Sequence, residues 1–264
     1  MKPSDQETRY ELRKANALIK LTGGTQHALH PKAITEPGMG GKFTPEGQVL
    51  PFPGNTFLCH IDQKSEFFSA LCAVQDELRS HPLSGHFTFL PKPSFHMTIF
   101  CGVSGAPLGS DGWPKDMPLD ASLNQITDAF DEKFDDRTFQ NSFGVLPDNL
   151  FLPTSVSMRA ATDEDEIMLR KIRAELEEIT GLYRGDVDSY EFHVSMAYVV
   201  KWLNEKTATE MVEECNSLFD QHLAHCGPIH FDRVEFCSFD NMHQFGSVKQ
   251  KYFRSHERFC NVVE

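Results

Sequence analysis

Apolar positions recur along the chain with two different periods. Spacing of three and four residues places Phe67, Leu71, Val74 and Leu78 on one stripe and predicts an amphipathic helix over 63–80. The same period predicts helices over 121–135, with Asp120 as a plausible N-cap, over 162–180 and over 204–224. The helix over 162–180 carries its own boundaries: Thr162 as N-cap, acidic residues in the first turn and Gly181 as the stop. Alternation with a period of two predicts strands at 55–61, at 86–91 and 94–101 joined by a Pro-containing turn, within 143–161, at 189–200 and at 229–240. Residues 102–118 are rich in Gly and Pro and read as a loop.

Residues 1–50 follow a different pattern. A short helix can run through Leu21, after which Gly and Pro forbid long regular elements, while Phe43, Val49, Leu50 and Phe52 can pin the segment to a core. The expected division is an ordered N-terminal arm over 1–50, packed on a bilobal domain over 51–264. Strands and helices alternate in both halves of that domain. This predicts an α+β fold of two pseudo-symmetric lobes, each an antiparallel sheet with helices packed outside and a groove between them.

Two strand-like runs carry the candidate chemistry. In "SFHMTIF" (94–100), Phe95, Met97 and Ile99 share one face, and Ser94, His96, Thr98 and Phe100 share the other. In "EFHVSMA" (191–197), Phe192, Val194 and Met196 lie opposite His193, Ser195 and Ala197. Each strand seats an apolar face on a core and presents an imidazole and a hydroxyl two residues apart on the other side. Brought together, the two strands would form one groove with two imidazoles and two hydroxyls. Phosphodiester cleavage needs such a set. A neutral imidazole takes a proton from water or a ribose hydroxyl, a protonated one gives a proton to the leaving oxygen, and hydroxyls bind the phosphoryl oxygens. Such chemistry requires no metal and no cofactor. The two motifs are near-equivalent and do not rank one imidazole as base and the other as acid.

A third triplet, His86-Phe87-Thr88, lacks the preceding apolar residue and reads as the start of a strand. Arg159, on a strand with Met158 and Ala160, is a candidate phosphate clamp. Phe100, on the face of His96, and Tyr198, after the second motif, are candidate stacking residues for a base, and Trp202 is another. His60 and Asp62 form half of a metal site, with no third ligand at a useful spacing. Gly40-Gly41-Lys42 resembles part of a phosphate loop without the strand–loop–helix context of one.

Composition narrows the substrate more than the fold. The net charge of −13 sets an acidic surface against duplex nucleic acid, while a local basic site can still take one nucleotide or an oligonucleotide end. The seven cysteines are odd in number, form no C-x-x-C pair and sit mostly in apolar patterns, which suits a reducing compartment. With no apolar run of membrane-span or signal-peptide length, the expectation is a cytoplasmic, monomeric protein without a membrane partner.

The pair His96-Met97-Thr98-Ile99 and His193-Val194-Ser195-Met196 resembles the two H-Φ-[ST]-Φ motifs of the two-histidine (2H) phosphoesterase superfamily. That superfamily includes RNA 2′-5′ ligase/cyclic phosphodiesterases. "GGKFTPEGQVLPFPGNTFLCHI" (40–61) is similar to its DUF1868 branch. The resemblance implies His96 and His193 as the acid/base pair and Thr98 and Ser195 as phosphate-binding hydroxyls. It also implies hydrolysis of a 2′,3′-cyclic phosphate or a 2′-5′-linked nucleotide or oligonucleotide. All four motif residues are intact, which favours catalysis over the rival reading, a non-catalytic nucleotide-binding module on the same fold. A metal-dependent hydrolase is a third reading. The N-terminal arm and the 102–118 loop depart from compact members of the superfamily.

Overall fold

A computed structural model of the protein describes residues 5–25, 28–134 and 142–248. In chain order its elements are α1 (Asp5–Thr22), β1 (Gly54–His60), α2 (Glu66–Ser80), β2 (Phe87–Phe89), β3 (His96–Ser104), α3 (Leu123–Phe134), β4 (Phe143–Leu152), β5 (Ser155–Ala160), α4 (Asp163–Thr180), β6 (His193–Ser195), β7 (Ala197–Val199), α5 (Glu205–Leu218), β8 (Ile229–Phe231), β9 (Glu235–Asn241) and β10 (Gln244–Ser247). No helix among the described residues is long and apolar enough to cross a membrane.

The α+β class and the antiparallel pairing are as the periodicity predicts. The strands of the two halves do not form separate sheets, however. Eight of them run in one sheet in the order β10-β9-β1-β3-β6-β5-β4-β8, and β2 pairs with β7 in a small second sheet. The halves are joined at β3–β6, where Met97 faces Val194. Residues 232–234 connect β8 at one edge to β9 beside the other edge. Such a short link reaches roughly 14 Å at most, so the sheet must curl until its edges approach.

Two predicted single strands are each split. The run 189–200 leaves the large sheet after Ser195, where Thr154 O accepts from both Met196 N and Ala197 N, and continues as β7. The run 229–240 divides at Asp232 between the two edges. Strand β10 had no signal in the pattern. The loop expected over 102–118 begins later, because β3 continues to Ser104 with Val103 N donating to the Asn55 side chain. Helix α3 is capped by Ser122, whose Oγ accepts from Gln125 N, and not by Asp120; the expected helix end at Asp135 lies outside the described residues. The Thr162 capping box and the left-handed Gly181 of α4 are as expected. A cap of this kind stabilises a helix by about 1 kcal/mol.

The apolar face of the large sheet, with Phe57, Met97, Val156 and Val194, is covered by α2, α4 and α5, and Ala17 and Leu21 of α1 join the same core. Each such fully buried large apolar side chain contributes about 1.5–3 kcal/mol. Beyond α1, the arm is held by a smaller cluster in which Ile34 and Phe43 meet Leu90, Val200, Phe239 and Met242.

Candidate active site

The register of β3 and β6 determines the site. With Met97 opposite Val194 and both pointing into the core, one step along the antiparallel ladder sets His96 opposite Ser195 and Thr98 opposite His193. The two imidazoles therefore stand on a diagonal, with Cβ atoms roughly 7 Å apart, and the two hydroxyls occupy the other corners. All four residues line one cavity of about 240 Å³.

Each imidazole is braced in the same way. His96 Nδ1 lies 2.7 Å from Ser94 O and His193 Nδ1 lies 3.0 Å from Glu191 O. A carbonyl oxygen only accepts, so both Nδ1 atoms donate and each Nε2 is left for chemistry. The Ser94 carbonyl is itself held by a short 3-10 turn, Lys92–Ser94, in which Ser94 Oγ donates to Pro91 O at 2.7 Å. Among the described residues, neither the Thr98 nor the Ser195 hydroxyl is committed to a protein partner.

The surroundings of the two rings differ. Burial pushes the His96 imidazole down to about 4, and positive charge on His60 or His193 acts in the same direction, while the Ser94 carbonyl opposes it. The ring of Phe245 lies 4.3 Å from that of His96. His60, the partner of His96 across the β1–β3 ladder, has its ring 6.4 Å away. His60 Nδ1 lies 3.2 Å from Glu235 Oε1, and this hydrogen bond holds the Glu235 carboxyl below its usual range. His193, by contrast, borders three cavities.

The tertiary structure supplies the third ligand that the sequence lacked for His60. Ligand atoms of His60, Glu235 and Cys237 lie within 4.8 Å of one another, the one such group among the described residues. These are donors that could hold a divalent ion. Each also has a role without one: Glu235 braces His60 and lies 3.9 Å from Arg233, and burial pushes the Cys237 thiol up to about 12, which keeps it neutral. Asp62 takes no part, since its carboxylate accepts from Lys64 N in the turn before α2.

Two candidate substrate contacts need correction. Phe100 does not face the groove. Phe57 pairs with Phe100 while Leu58 pairs with Thr98, so Ile99 is an extra residue in β3. This bulge reverses the phase of the strand, burying Phe100 against Phe57 and turning Cys101 to the cavity. Buried Arg173 braces the bulge by donating to Ile99 O. Arg159 shares the face of Ser155 and Ser157 but lies beyond the part of β5 that meets His193. Its guanidinium is 3.8 Å from Asp148 and donates to Ala160 O, outside the cavity. Tyr198 does line the cavity. His86 closes a 3-10 turn, half-buried, with Nδ1 on Lys201 O.

Lys42 is the site residue whose importance the spacing did not reveal. It lines the cavity, with Nζ 5.0 Å from the Phe52 ring centroid and 5.4 Å from that of Tyr198, and no carboxylate pairs with it among the described residues. The glycines before it are required. Gly40 has φ +84°, and a Cβ there would come within 2.1 Å of Ala106 O. The sequence signal was the Gly-Gly-Lys triplet, which gained meaning once the arm was seen to fold over the groove.

The fold recurs in a solved structure. The chain is similar to a conserved protein of unknown function from Agrobacterium tumefaciens, with a TM-score of 0.81 and 25% identity over 90% of this chain and 98% of that one. No curated protein matches significantly. Residues 42–146, which contain Lys42, His96 and Thr98, match the family described as 2H-phosphodiest, Domain of unknown function (DUF1868). That match makes residues 42–146 similar to the DUF1868 branch of the 2H phosphoesterases and supports a function of the phosphoesterase type.

Proposed function

We propose that the protein is a metal-independent phosphodiesterase that cleaves a 2′,3′-cyclic phosphate or a 2′-5′ linkage in a nucleotide or oligonucleotide. The observation that carries this reading is the diagonal placement of two Nδ1-braced imidazoles in one cavity with two hydroxyls and a Lys42 that have no hydrogen-bonding or ion-pairing side-chain partner among the described residues. His96, held neutral by burial, is the base: its Nε2 takes a proton from water as the water oxygen bonds to phosphorus. His193 is the acid. As the bond from phosphorus to the leaving ribose oxygen breaks, protonated Nε2 of His193 donates to that oxygen. Proton exchange with solvent then restores both rings, and the net reaction is the addition of one water. Thr98, Ser195 and Lys42 stabilise the charge on the phosphoryl oxygens.

The test is a screen of 2′,3′-cyclic mononucleotides, cyclic-phosphate-ended oligonucleotides and 2′-5′ dinucleotides with EDTA present throughout. Turnover that survives the chelator and disappears in His96→Ala and His193→Ala is the expected result. Chelator-sensitive turnover restored by zinc would transfer the chemistry to His60, Glu235 and Cys237. Nucleotide binding without turnover would leave only the binding-module reading.

A further inference from the structure

Three cavities meet at His193. One is the catalytic cavity of about 240 Å³. A larger one, of about 410 Å³, lies between α1, the arm and β7, and is lined by Lys20, Lys32 and Trp202. A small one, of about 140 Å³, reaches Arg13 of α1. His193, Ser195 and Tyr198 border both the catalytic cavity and the larger one, so the two spaces share these three side chains as their common boundary.

We propose that the larger cavity is a second substrate subsite, which takes the nucleoside and flanking phosphate on the leaving-group side of the scissile bond. The substrate is then a single strand of two or more nucleotides and not a lone cyclic mononucleotide. This rests on the phosphodiesterase reading above.

Size is the first argument. Pockets that enclose a small organic ligand run from roughly 300 to 1,000 Å³. The catalytic cavity falls below that range and suits a phosphate with part of a nucleoside, whereas the adjoining cavity falls within it.

Chemistry is the second. Lys20 and Lys32 are exposed, and no carboxylate pairs with either among the described residues, although the chain carries a net charge of −13. Arg13, in the small cavity, is already paired with Asp148. Two uncompensated cations at one cavity of an acidic protein attract backbone phosphate locally, while the remaining surface repels duplex. Trp202 supplies an aromatic surface in a fixed orientation. Its Nε1 donates to Ala28 O at 3.0 Å, and Gly23 packs so close that a Cβ there would lie 2.8 Å from the indole. Stacking on such a ring is worth about 1–3 kcal/mol per base.

Direction is the third. His193 is the proton donor to the leaving oxygen, so the nucleoside attached to that oxygen must lie on the side of His193. This is the side on which the larger cavity opens. The same holds for a 2′-5′ linkage and for a cyclic phosphate at the end of a strand.

The experiment compares kcat/KM for a 2′,3′-cyclic mononucleotide with that for a trinucleotide ending in the same cyclic phosphate, in wild type and in a Lys20→Ala/Lys32→Ala double variant. Wild type should prefer the trinucleotide by at least roughly tenfold, the effect of one charged hydrogen bond. The double variant should lose most of that preference, with the loss at least roughly ten times larger for the trinucleotide than for the mononucleotide. Equal turnover of the two substrates by wild type, or equal losses in the double variant, would overturn the subsite. A second measurement separates its failure from failure of the chemistry: binding of the trinucleotide to His96→Ala, with and without the two lysine changes, read by fluorescence anisotropy. Lysine-dependent binding to this variant, together with no turnover of either substrate by wild type, would keep the subsite and reject the phosphodiesterase reading. Binding that ignores the lysines would reject the subsite whatever the turnover.

Discussion

The His96 half and the His193 half of the site begin from almost the same sequence and end in different surroundings. Both rings donate Nδ1–H to the carbonyl two residues upstream. His96 then lies near Phe245 and the His60–Glu235 pair, and burial depresses its affinity for a proton. His193 stands where three cavities meet, with lysines nearby. Two equivalent motifs thus become unequal through their neighbours, and the proposed division of labour uses that inequality by giving the role of base to the buried His96.

Removal of either ring is the severest way to break that comparison. His96→Ala and His193→Ala should each lower turnover roughly 10²–10⁴-fold, and the double variant should be little worse than the poorer single one, as steady-state kinetics would show. Independent, multiplying losses would mean that the two rings do not act in one step.

A large effect of another kind is expected at Phe100. Phe100→Ala should destabilise the fold by about 3–5 kcal/mol in chemical denaturation, because the side chain is wholly buried behind the β3 bulge. The KM of the folded fraction should hardly move. A specific rise in KM with stability unchanged would return Phe100 to the groove.

The pH profile sharpens the assignment of roles. A base is active when deprotonated, so activity should fall on the acid side as His96 gains its proton, near pH 4 and not near the ordinary imidazole value of about 6.5. The sign for stability agrees: below about 6.5 the unfolded chain protonates this histidine while the folded one does not, so stability declines as pH falls from there toward 4. An acid limb near 6.5 that persists in a Phe245→Ala variant would contradict burial as the cause.

Smaller effects should separate cavity residues from bystanders. Lys42→Ala should raise KM roughly tenfold, the effect of one charged hydrogen bond to phosphate, and Lys42→Arg should restore much of it. Arg159→Ala should change kcat/KM by less than about twofold, since its guanidinium is engaged by Asp148 away from the cavity, in an exposed pair worth at most about 1 kcal/mol.

The sequence alone determined the parts of this protein that depend on local periodicity. The faces of α2 and α4, the Thr162 cap and the inward Met97 and Val194 follow from the spacing of apolar residues, because a helix or strand presents its side chains at a fixed period. The four motif residues were legible for the same reason, as period two over three residues is enough to set imidazole and hydroxyl on one side. Periodicity fails where the backbone departs from its regular repeat or where partners come from distant segments. One extra residue at Ile99 reversed the phase of β3 and moved Phe100 into the core. Glu235 and Cys237 reach His60 only because β9 pairs with β1, and Lys42 reaches the phosphate-sized cavity only because the Gly40–Gly41 turn passes against Ala106. The lowered proton affinity of His96, on which its proposed role as base rests, likewise comes from tertiary structure, since a pKa responds to desolvation and neighbouring charge, and neither is present in a motif.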